Sequence, residues 1–248
     1  MGLEGAGNPS VHDTNYSPVY LQGLFDDLSG SYELVSTLSS LGLTELWRRN
    51  AAHVLRLKQG MVVGDFMGGT GESWKHLLPF IGPDGHIFSI DFSKGMINGA
   101  EQRKQRNRYS NVSLMTSDAT TLPFEDNSLD AIFSGYGVKT LCSDLHNFFA
   151  KEMKRVLKPG GRFATVEITV PSQRALQRLQ HLYMYKMMPL AFALFDGHYD
   201  RFLMINRYLA DFGDGSNLTV VFDQVGLSEV ESLPMSGGLA TIITGTKV

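Results

Sequence analysis

The sequence predicts a single α/β domain built around a mostly parallel β-sheet, and three observations support this fold class. Short apolar runs alternate with longer segments in which apolar residues recur at helical spacing, and the first of these runs enters a glycine-rich turn. Because strands separated by helices require right-handed crossovers, most strands are expected to lie parallel. A length of 248 residues suits one sizeable domain with helical additions.

The composition is that of an ordinary globular protein, with 43% hydrophobic residues, 19% charged residues and a formal net charge of −3. Nucleic-acid-binding proteins concentrate basic residues on one surface, so no nucleic-acid partner is expected. Cys142 is the single cysteine, which excludes an intrachain disulfide and a cysteine-based metal site; no metal is expected. The sequence shows neither a spanning apolar stretch nor a signal peptide, and we expect a cytoplasmic location.

The N-terminal part of the chain predicts an arm followed by helices. Residues 1–20 are rich in Gly, Asn, Pro and Ser and predict a mobile arm. Residues 21–248 are then expected to form one domain. Within it, residues 21–57 carry apolar side chains at helical spacing, which predicts two amphipathic helices that form a lid before the core.

Five apolar runs predict the core strands: MVVGDF, HIFSID, VSLMTSD, LDAIFSG and GRFATVEITV. Residues 172–212 interrupt this pattern, because Leu, Met, Tyr and Phe recur there at helical spacing. They predict a helical insertion on the acceptor side, before the last strands. The chain closes with LSEVESLP and GLATIITGTKV, which predict an antiparallel hairpin at the sheet edge.

The sharpest signal is VGDFMGGTGE, in which a buried strand leads through Gly68, Gly69 and Gly71 into a helix. Glycines allow the tight turn and let backbone approach a ligand closely. Two nucleotide-like cofactors compete for such a turn. Asp65 would repel the pyrophosphate of NAD but attract the ammonium and sulfonium of S-adenosylmethionine. Trp74 stands where the dinucleotide motif needs its third glycine, so S-adenosylmethionine is favoured and NAD is the alternative.

Two further acids follow the next two strands. Asp91 lies about twenty residues after Gly71, where α/β nucleotide sites place a carboxylate on the ribose hydroxyls. A cap for the helix from Ser93 is the alternative. Met96, one helical turn on, is placed to pack against adenine, and Asp118 can accept a hydrogen bond from the adenine amino group. All these positions meet at the carboxyl edge of a parallel sheet, where ligands of such sheets bind.

From roughly Leu24 to its C-terminus the chain resembles the ubiquinone/menaquinone-biosynthesis C-methyltransferases. The resemblance is carried by FDDLSGSYELVSTLSSLGLTELWRR, DFMGGTGE, IDFSKGM, LPFEDNSLDAIFSGYGVKTL and VLKPGGRFATVEI. It implies an α/β, Rossmann-like methyltransferase fold with a seven-stranded sheet of order 3-2-1-4-5-7-6, in which the last strand is antiparallel.

Together the motifs and the resemblance imply a set of contacts to S-adenosylmethionine: Tyr32, Asp65, Gly68, Gly69, Thr70, Gly71, Asp91, Phe92, Met96, Asp118, Ala119 and Gly135. Tyr32 looks like a lid residue that reaches the methionine end of the cofactor. The family's Ser-Phe-Gly-(Leu/Ile)-Arg-Asn reads GYGVKT here, so a serine contact is lost at Gly135 and Arg-Asn becomes Lys139-Thr140. This departure favours an acceptor related to the quinols over the quinol itself.

Methyl transfer depends on alignment and exclusion of water, and a phenolic carbon nucleophile also needs its hydroxyl deprotonated. The candidates for this chemistry are Tyr136, Lys139, Glu167 and His181. Lysines usually lie at the surface, which is the default expectation for Lys139. The aromatic and methionine residues between 183 and 202 fit an apolar acceptor pocket, a membrane-facing lid or plain helix packing.

The expected function is transfer of a methyl group from S-adenosylmethionine to carbon or oxygen of a small aromatic or prenylated acceptor. Two alternatives stay open. One is an amine or phospholipid methyltransferase of the same fold, and the other is an S-adenosylmethionine-binding protein with another reaction or a regulatory role. Peripheral membrane contact and a homodimer also stay open.

Overall fold

The structure is a computed structural model that describes residues 16–28, 40, 42–187 and 199–248. Its seven strands form one sheet in the order β3-β2-β1-β4-β5-β7-β6, which confirms the predicted fold class. The strands are β1 Val62–Phe66, β2 His86–Asp91, β3 Val112–Thr116, β4 Leu129–Gly135, β5 Leu157–Ile168, β6 Ser228–Met235 and β7 Ala240–Thr246.

The first five strands are parallel, with β1 at their centre. It pairs with β2 from Val62 opposite His86, and with β4 from Val63 opposite Ala131. Only β7 runs antiparallel to its neighbours, because the turn Ser236–Gly238 reverses the chain after β6. The carboxyl ends of β1 to β5 therefore meet at one edge of the sheet, which we call the carboxyl edge.

Helices cover both faces of the sheet. They are α1 Pro18–Leu28, α2 Leu43–Val54, α3 Trp74–Ile81, α4 Lys94–Asn107, α5 Ser143–Val156, α6 Arg174–Leu182, α7 Tyr199–Phe212 and α8 Ser216–Gln224. Helices α2, α3 and α4 bury their apolar stripes against one face through residues such as Trp47, Trp74 and Ala100. Helices α5 and α8 cover the other face through Phe149 and Phe222. This is the three-layer arrangement that buries a parallel sheet.

The N-terminal helices α1 and α2 reach the carboxyl edge through Phe25 and Arg48. Tyr16, which precedes α1, is buried and donates a hydrogen bond to Asp211 Oδ2 at 2.9 Å. Helix α1 begins at Pro18, so it starts within residues 1–20, which the sequence predicted as an arm, although Val19 and Tyr20 in its first turn are exposed. The predicted lid, residues 21–57, contains most of α1 and all of α2. Tyr32 lies outside the described residues.

The predicted insertion, residues 172–212, contains α6, a π-helical turn at Tyr183–Met187 and α7. Helix α8 was not predicted from the sequence, because its Thr219, Val220 and Val221 have strand propensity. Tertiary burial of Leu218 and Phe222 overrides that preference, and Gly215, with φ +84°, turns the chain into the helix. None of the helices within the described ranges combines the length and apolarity that crossing a bilayer requires.

Candidate functional site

A cavity opens at the carboxyl edge beside the ends of β1, β2 and β4. We call it the carboxyl-edge cavity, and its wall consists of Phe25, Arg48, Met67, Gly68, Gly69, Glu72, Ser73, Asp91, Phe92, Met96, Gly135, Tyr136, Gly137 and Thr140. The glycine turn, the acid after β2 and the start of α4 are thus brought together, as the sequence predicted. Five elements that lie far apart along the chain contribute to this one wall.

The glycine turn is shaped by backbone geometry. Gly68 donates its N–H to Ile90 O at 2.9 Å, and Gly69, at φ +56°, donates to Asp91 Oδ2 at 2.9 Å. Gly71 adopts φ +84°, and a Cβ there would lie 2.5 Å from the Trp74 ring. Trp74 therefore fills the space next to the turn, where a dinucleotide-binding motif would have its third glycine.

Asp65 lies beneath the turn and is fully buried. Its Oδ2 accepts hydrogen bonds from Trp74 Nε1 at 2.9 Å and from Ser89 Oγ at 3.4 Å. Its Oδ1 has no hydrogen-bond partner among the residues that the structure describes. Burial raises the pKa of this carboxyl to about 7. A buried carboxylate with an unused acceptor favours a cationic ligand nearby.

Asp91 braces two parts of the site. Its Oδ1 accepts from Ser93 N at 2.9 Å and its Oδ2 from Gly69 N at 2.9 Å. The N-cap of α4 is Ser93, whose Oγ accepts from Met96 N at 3.1 Å, so the capping role that was the alternative for Asp91 belongs to Ser93. Each Asp91 oxygen keeps a second lone pair, and the residue also lines the cavity. Burial raises the pKa of Asp91 to about 6.

Three predicted cofactor contacts, Thr70, Asp118 and Ala119, are not among the residues that line the cavity. Asp118 is exposed, and its Oδ1 accepts from Thr120 N at 2.7 Å and Thr120 Oγ1 at 2.8 Å, a local turn that satisfies the carboxylate. Ala119 packs into the core. Thr70 is buried and donates to Glu72 Oε1 at 2.6 Å.

Two charged residues of the wall were not selected from the sequence. Arg48 on α2 is buried, and its Nη1 lies 3.2 Å from Glu45 Oε2, while its guanidinium carbon lies 5.0 Å from the centroid of the Tyr136 ring. Glu72 follows the glycine turn directly. A usable signal was present: Arg48 shares the inward face of α2 with Thr44 at i−4, whereas Arg49 is exposed.

Tyr136 joins the end of β4 to α2. It has φ +66°, which is uncommon for a residue with a Cβ, and its N–H donates to Val166 O at 2.8 Å. Its hydroxyl donates to Thr44 O at 2.6 Å. The ring therefore lines the carboxyl-edge cavity while its hydroxyl is held by helix α2.

Lys139 and Glu167 form a buried ion pair behind the wall. Lys139 Nζ lies 3.0 Å from Glu167 Oε2 and also donates to Tyr136 O, and Glu167 Oε1 accepts from Val138 N at 2.6 Å. Burial raises the pKa of Glu167. The surface position that lysines usually take is wrong for Lys139, whose side chain is only 6% exposed, because Glu167 supplies its counter-charge. The pair fixes the turn Val138–Thr140, whose Thr140 lines the cavity.

A second cavity of about 290 Å³ lies on the other side of that turn. Its wall includes Tyr16, Lys139, His146 and Asp211. The remaining catalytic candidate, His181, is exposed on α6 and stacks on Tyr185, with ring centroids 4.4 Å apart. The structure does not bring His181 to the other candidates.

Comparison with known proteins identifies the family of the chain. The model of a family described as the ubiE/COQ5 methyltransferase family matches residues 13–247. The demethylmenaquinone methyltransferase of Desulfitobacterium hafniense (strain Y51) is 31% identical over 229 residues, covering 92% of this chain and 90% of the relative. The demethylmenaquinone methyltransferase of Bacillus licheniformis is 29% identical over 227 residues, covering 92% of this chain and 96% of the relative.

Solved structures agree on the fold. A SAM-dependent methyltransferase from Aquifex aeolicus is 19% identical, with a TM-score of 0.59 over 81% of this chain and 89% of that one. A SAM-dependent methyltransferase from Thermotoga maritima is 20% identical, with a TM-score of 0.62 over 92% of this chain and 100% of that one. These likenesses extend the Rossmann-like methyltransferase fold to nearly the whole chain.

Proposed function

This chain belongs to the ubiE/COQ5 methyltransferase family and is an S-adenosylmethionine-dependent methyltransferase, and we propose that it methylates a ring carbon of a quinol-related phenol. The observation that carries this proposal is the carboxyl-edge cavity, in which carboxylates surround a glycine turn and a single tyrosine ring. The two demethylmenaquinone methyltransferases that match over 92% of the chain support an acceptor of this chemical class.

The charges of the cavity fit S-adenosylmethionine. Glu72 and Asp91 line the wall, and the unused oxygen of Asp65 lies beneath it. These carboxylates favour a ligand with a sulfonium and an ammonium, and oppose the pyrophosphate of NAD. Arg48 is the cation of the described wall, and we assign it to the carboxylate at the methionine end.

The remaining groups of the wall suit the adenosine half. Each Asp91 oxygen has a free lone pair for one ribose hydroxyl. Phe92 and Met96 provide apolar surface for the adenine. Phe25 covers this part from α1, and the neighbouring Asp26 fastens α1 to the start of α4, since its Oδ1 accepts from Ser93 Oγ at 2.5 Å and Gly95 N at 2.8 Å.

When bound, S-adenosylmethionine supplies an electrophilic methyl group on a positively charged sulfur. The protein then has to align a nucleophilic carbon with that group and keep water out. Tyr136 offers an apolar ring at this position. Thr140 Oγ1 donates to Gly137 O at 2.6 Å and retains lone pairs that can accept a hydrogen bond from a phenolic hydroxyl or from a water that takes its proton. The phenolic proton and, after methylation, the proton of the ring carbon both pass to solvent water.

Lys139 and Glu167 act as positioning residues in this proposal. Their charged atoms are engaged with each other and with the backbone at 136 and 138, so neither is arranged to take a proton from the acceptor. Their effect on the reaction is to fix Thr140 and Tyr136. The family's Arg-Asn is Lys139-Thr140 here, with the lysine turned inward. This difference favours an acceptor related to, but not identical with, the demethylmenaquinone in the homologues' names.

The test uses S-adenosylmethionine with a deuterated methyl group and mass spectrometry of the products. Reduced demethylmenaquinone, ubiquinol precursors and simpler phenols are offered to the wild type and to Lys139→Arg/Thr140→Asn. We expect the label on a ring carbon of a quinol-related phenol, and a demethylmenaquinol rate about tenfold higher in the double variant, a change of roughly 1.4 kcal/mol in the barrier.

Two other results of this labelling experiment would each contradict part of the proposal. Label on nitrogen of amines or phospholipids, or no transfer to any phenol, refutes the acceptor class. Efficient methylation of demethylmenaquinol by the wild type, with no gain in the double variant, refutes the divergence at positions 139 and 140 and leaves the quinol itself as the acceptor.

A further inference from the structure

Helix α6 carries an uncovered apolar stripe. Leu179 is 59% exposed, Leu182 is 51% exposed and Met187, in the π-helical turn that continues the helix, is 56% exposed. No residue of α6 is buried. At about 100° per residue, Leu179 and Leu182 lie on one side of the helix together with the exposed Ala175. Large apolar side chains grouped in this way mark an interaction surface more often than isolated ones do.

A basic stripe runs beside the apolar one. Arg174 and Arg178 are both exposed and, with His181, occupy the neighbouring arc of the helix, while the exposed Lys186 follows in the turn. The sequence from 168 to 195 contains no Asp or Glu, although the whole chain has a net charge of −3. This surface is therefore locally cationic on a protein that is anionic overall.

The opposite side of α6 is fixed to the domain. Gln177 Nε2 donates to Pro171 O at 2.8 Å, and Gln180 Nε2 donates to Thr169 O at 2.9 Å. Leu176 packs against the turn after β6, where a Cβ on Gly237 would lie 2.7 Å from Leu176 Cδ1. The helix is thus held directly after the carboxyl end of β5, and its two exposed stripes face away from the core.

We infer that α6 and the turn at Tyr183–Met187 dock on the surface of an anionic lipid bilayer. Leu179, Leu182 and Met187 enter the boundary between headgroups and acyl chains, and the three cations contact lipid phosphates. An apolar stripe beside an acid-free basic stripe favours a bilayer over a two-fold symmetric contact with a second copy, which would bring two basic stripes together. The residues that follow in the sequence, MPLAFALF, are also uncharged and apolar.

This docking would give the carboxyl edge access to an acceptor dissolved in the bilayer. That consequence rests on the proposed function, because a phenol with a hydrophobic substituent partitions into lipid. Binding to vesicles does not rest on it. Vesicle binding and methyl transfer can therefore fail separately.

The test is co-sedimentation of the full chain with vesicles of phosphatidylcholine, with and without phosphatidylglycerol. We expect binding to the anionic vesicles that weakens with salt. Arg174→Gln/Arg178→Gln/Lys186→Gln should lower the partition coefficient about a hundredfold, since each cation near an anionic surface contributes about 1 kcal/mol, or about fivefold. Leu179→Gln/Leu182→Gln/Met187→Gln should lower it at least about tenfold.

The matched control is Phe148→Gln/Val220→Gln, which removes two apolar side chains that are 58% and 52% exposed on α5 and α8. We expect it to bind vesicles as the wild type does, and all variants to melt at wild-type temperature. The inference would be overturned if the wild type did not bind anionic vesicles. It would also be overturned if the α6 variants bound them as strongly as the wild type. A dimer in ultracentrifugation that the apolar α6 variant abolishes, without vesicle binding, would assign the surface to a second copy and also overturn it.

Discussion

At the residue scale, Asp91 is the group on which cofactor binding should depend most. Its carboxylate holds the glycine turn through Gly69 and offers lone pairs to the ribose hydroxyls. We expect Asp91→Ala to weaken binding of S-adenosylmethionine by roughly 1.5 to 3 kcal/mol, about tenfold to more than a hundredfold, measured by calorimetry. Asp84→Ala, at the exposed turn before β2, is the control and should leave the dissociation constant unchanged. Equal affinities for the two variants would reduce Asp91 to a structural brace.

The raised pKa values of Asp91 and Asp65 make cofactor binding depend on pH. Burial raises these pKa values to about 6 and about 7, so both carboxyls are ionised at about pH 8 and lose charge as the pH falls. A cationic ligand prefers the ionised forms. The dissociation constant should therefore rise by roughly an order of magnitude between about pH 8 and about pH 5.5.

The matched variant for this pH dependence is Asp65→Asn, which carries no titrating group at position 65. In this variant the dissociation constant for S-adenosylmethionine should no longer change with pH near 7, but should still change near the pKa of Asp91, at about 6. A flat profile for the folded wild type across that range would show that neither carboxylate interacts with the charge of the cofactor.

Arg48 is expected to bind the carboxylate at the methionine end. Arg48→Gln removes that charge-assisted contact and should weaken S-adenosylmethionine about fivefold to fiftyfold, or roughly 1 to 2.3 kcal/mol. Its neighbour Arg49 is exposed on the same helix, so Arg49→Gln serves as the matched control. Decarboxylated S-adenosylmethionine should bind both variants equally. If the Arg48 variant lost affinity for that analogue as well, its effect would be structural.

The sequence correctly predicted the positions of candidate site residues that lie at or directly after the end of a strand. The acid after β2 and the glycines after β1 lie at strand ends, which topology brings together. The sequence also placed Asp118 at the site, but in the structure this side chain lies outside the cavity wall and accepts a hydrogen bond from Thr120 N, two residues ahead. Arg48 was missed: the helical spacing of α2 indicates that it faces inward, but that this face reaches the cavity depends on tertiary packing.

At the element scale, the turn Val138–Thr140 depends on the ion pair behind it. Lys139→Met leaves Glu167 without its counter-charge and should destabilise the fold by about 3 kcal/mol in denaturant unfolding. Glu167→Gln keeps an acceptor for Val138 N and should cost less. In a double-mutant cycle, Lys139→Met/Glu167→Gln should lose roughly 1 to 3 kcal/mol less stability than the sum of the two single losses.

Lys158→Met is the control for this cycle. Its ion pair with Asp130 measures 2.6 Å but is 41% and 23% exposed at the two side chains, so its loss should cost about 1 kcal/mol or less. A positioning role also predicts that Lys139→Met alters kcat for methyl transfer more than the affinity for S-adenosylmethionine. Strict additivity in the cycle would contradict the coupling.

Helices and strands with clear periodicity were predictable. The alternating runs marked β1 to β5, and the closing hairpin appears as β6 and β7. Helix α8 was not predictable, because a Thr-Val-Val sequence favours a strand unless Leu218 and Phe222 have a surface to pack on. That surface is supplied by α5 and β5, which the local sequence does not reveal.

At the scale of the whole molecule, the sequence predicts the cofactor half of the protein better than the acceptor half. The cofactor is held by backbone turns and strand ends, whose positions follow from the order of the sheet. The acceptor side depends on how the lid and the insertion pack over that edge. Lys139, Glu167 and His181 could be nominated by residue type, but only the fold separates the buried pair from the exposed histidine.

A crystal structure of the full chain with S-adenosylhomocysteine would show directly whether the carboxyl-edge cavity holds the cofactor. We expect the ligand in this cavity, with both ribose hydroxyls on Asp91, the adenine beside Met96 and the amino-acid carboxylate at Arg48. The sulfur should face Tyr136. A ligand in the second cavity, between Tyr16 and Asp211, or a ribose without contact to Asp91, would contradict the assignment of the cavity to S-adenosylmethionine.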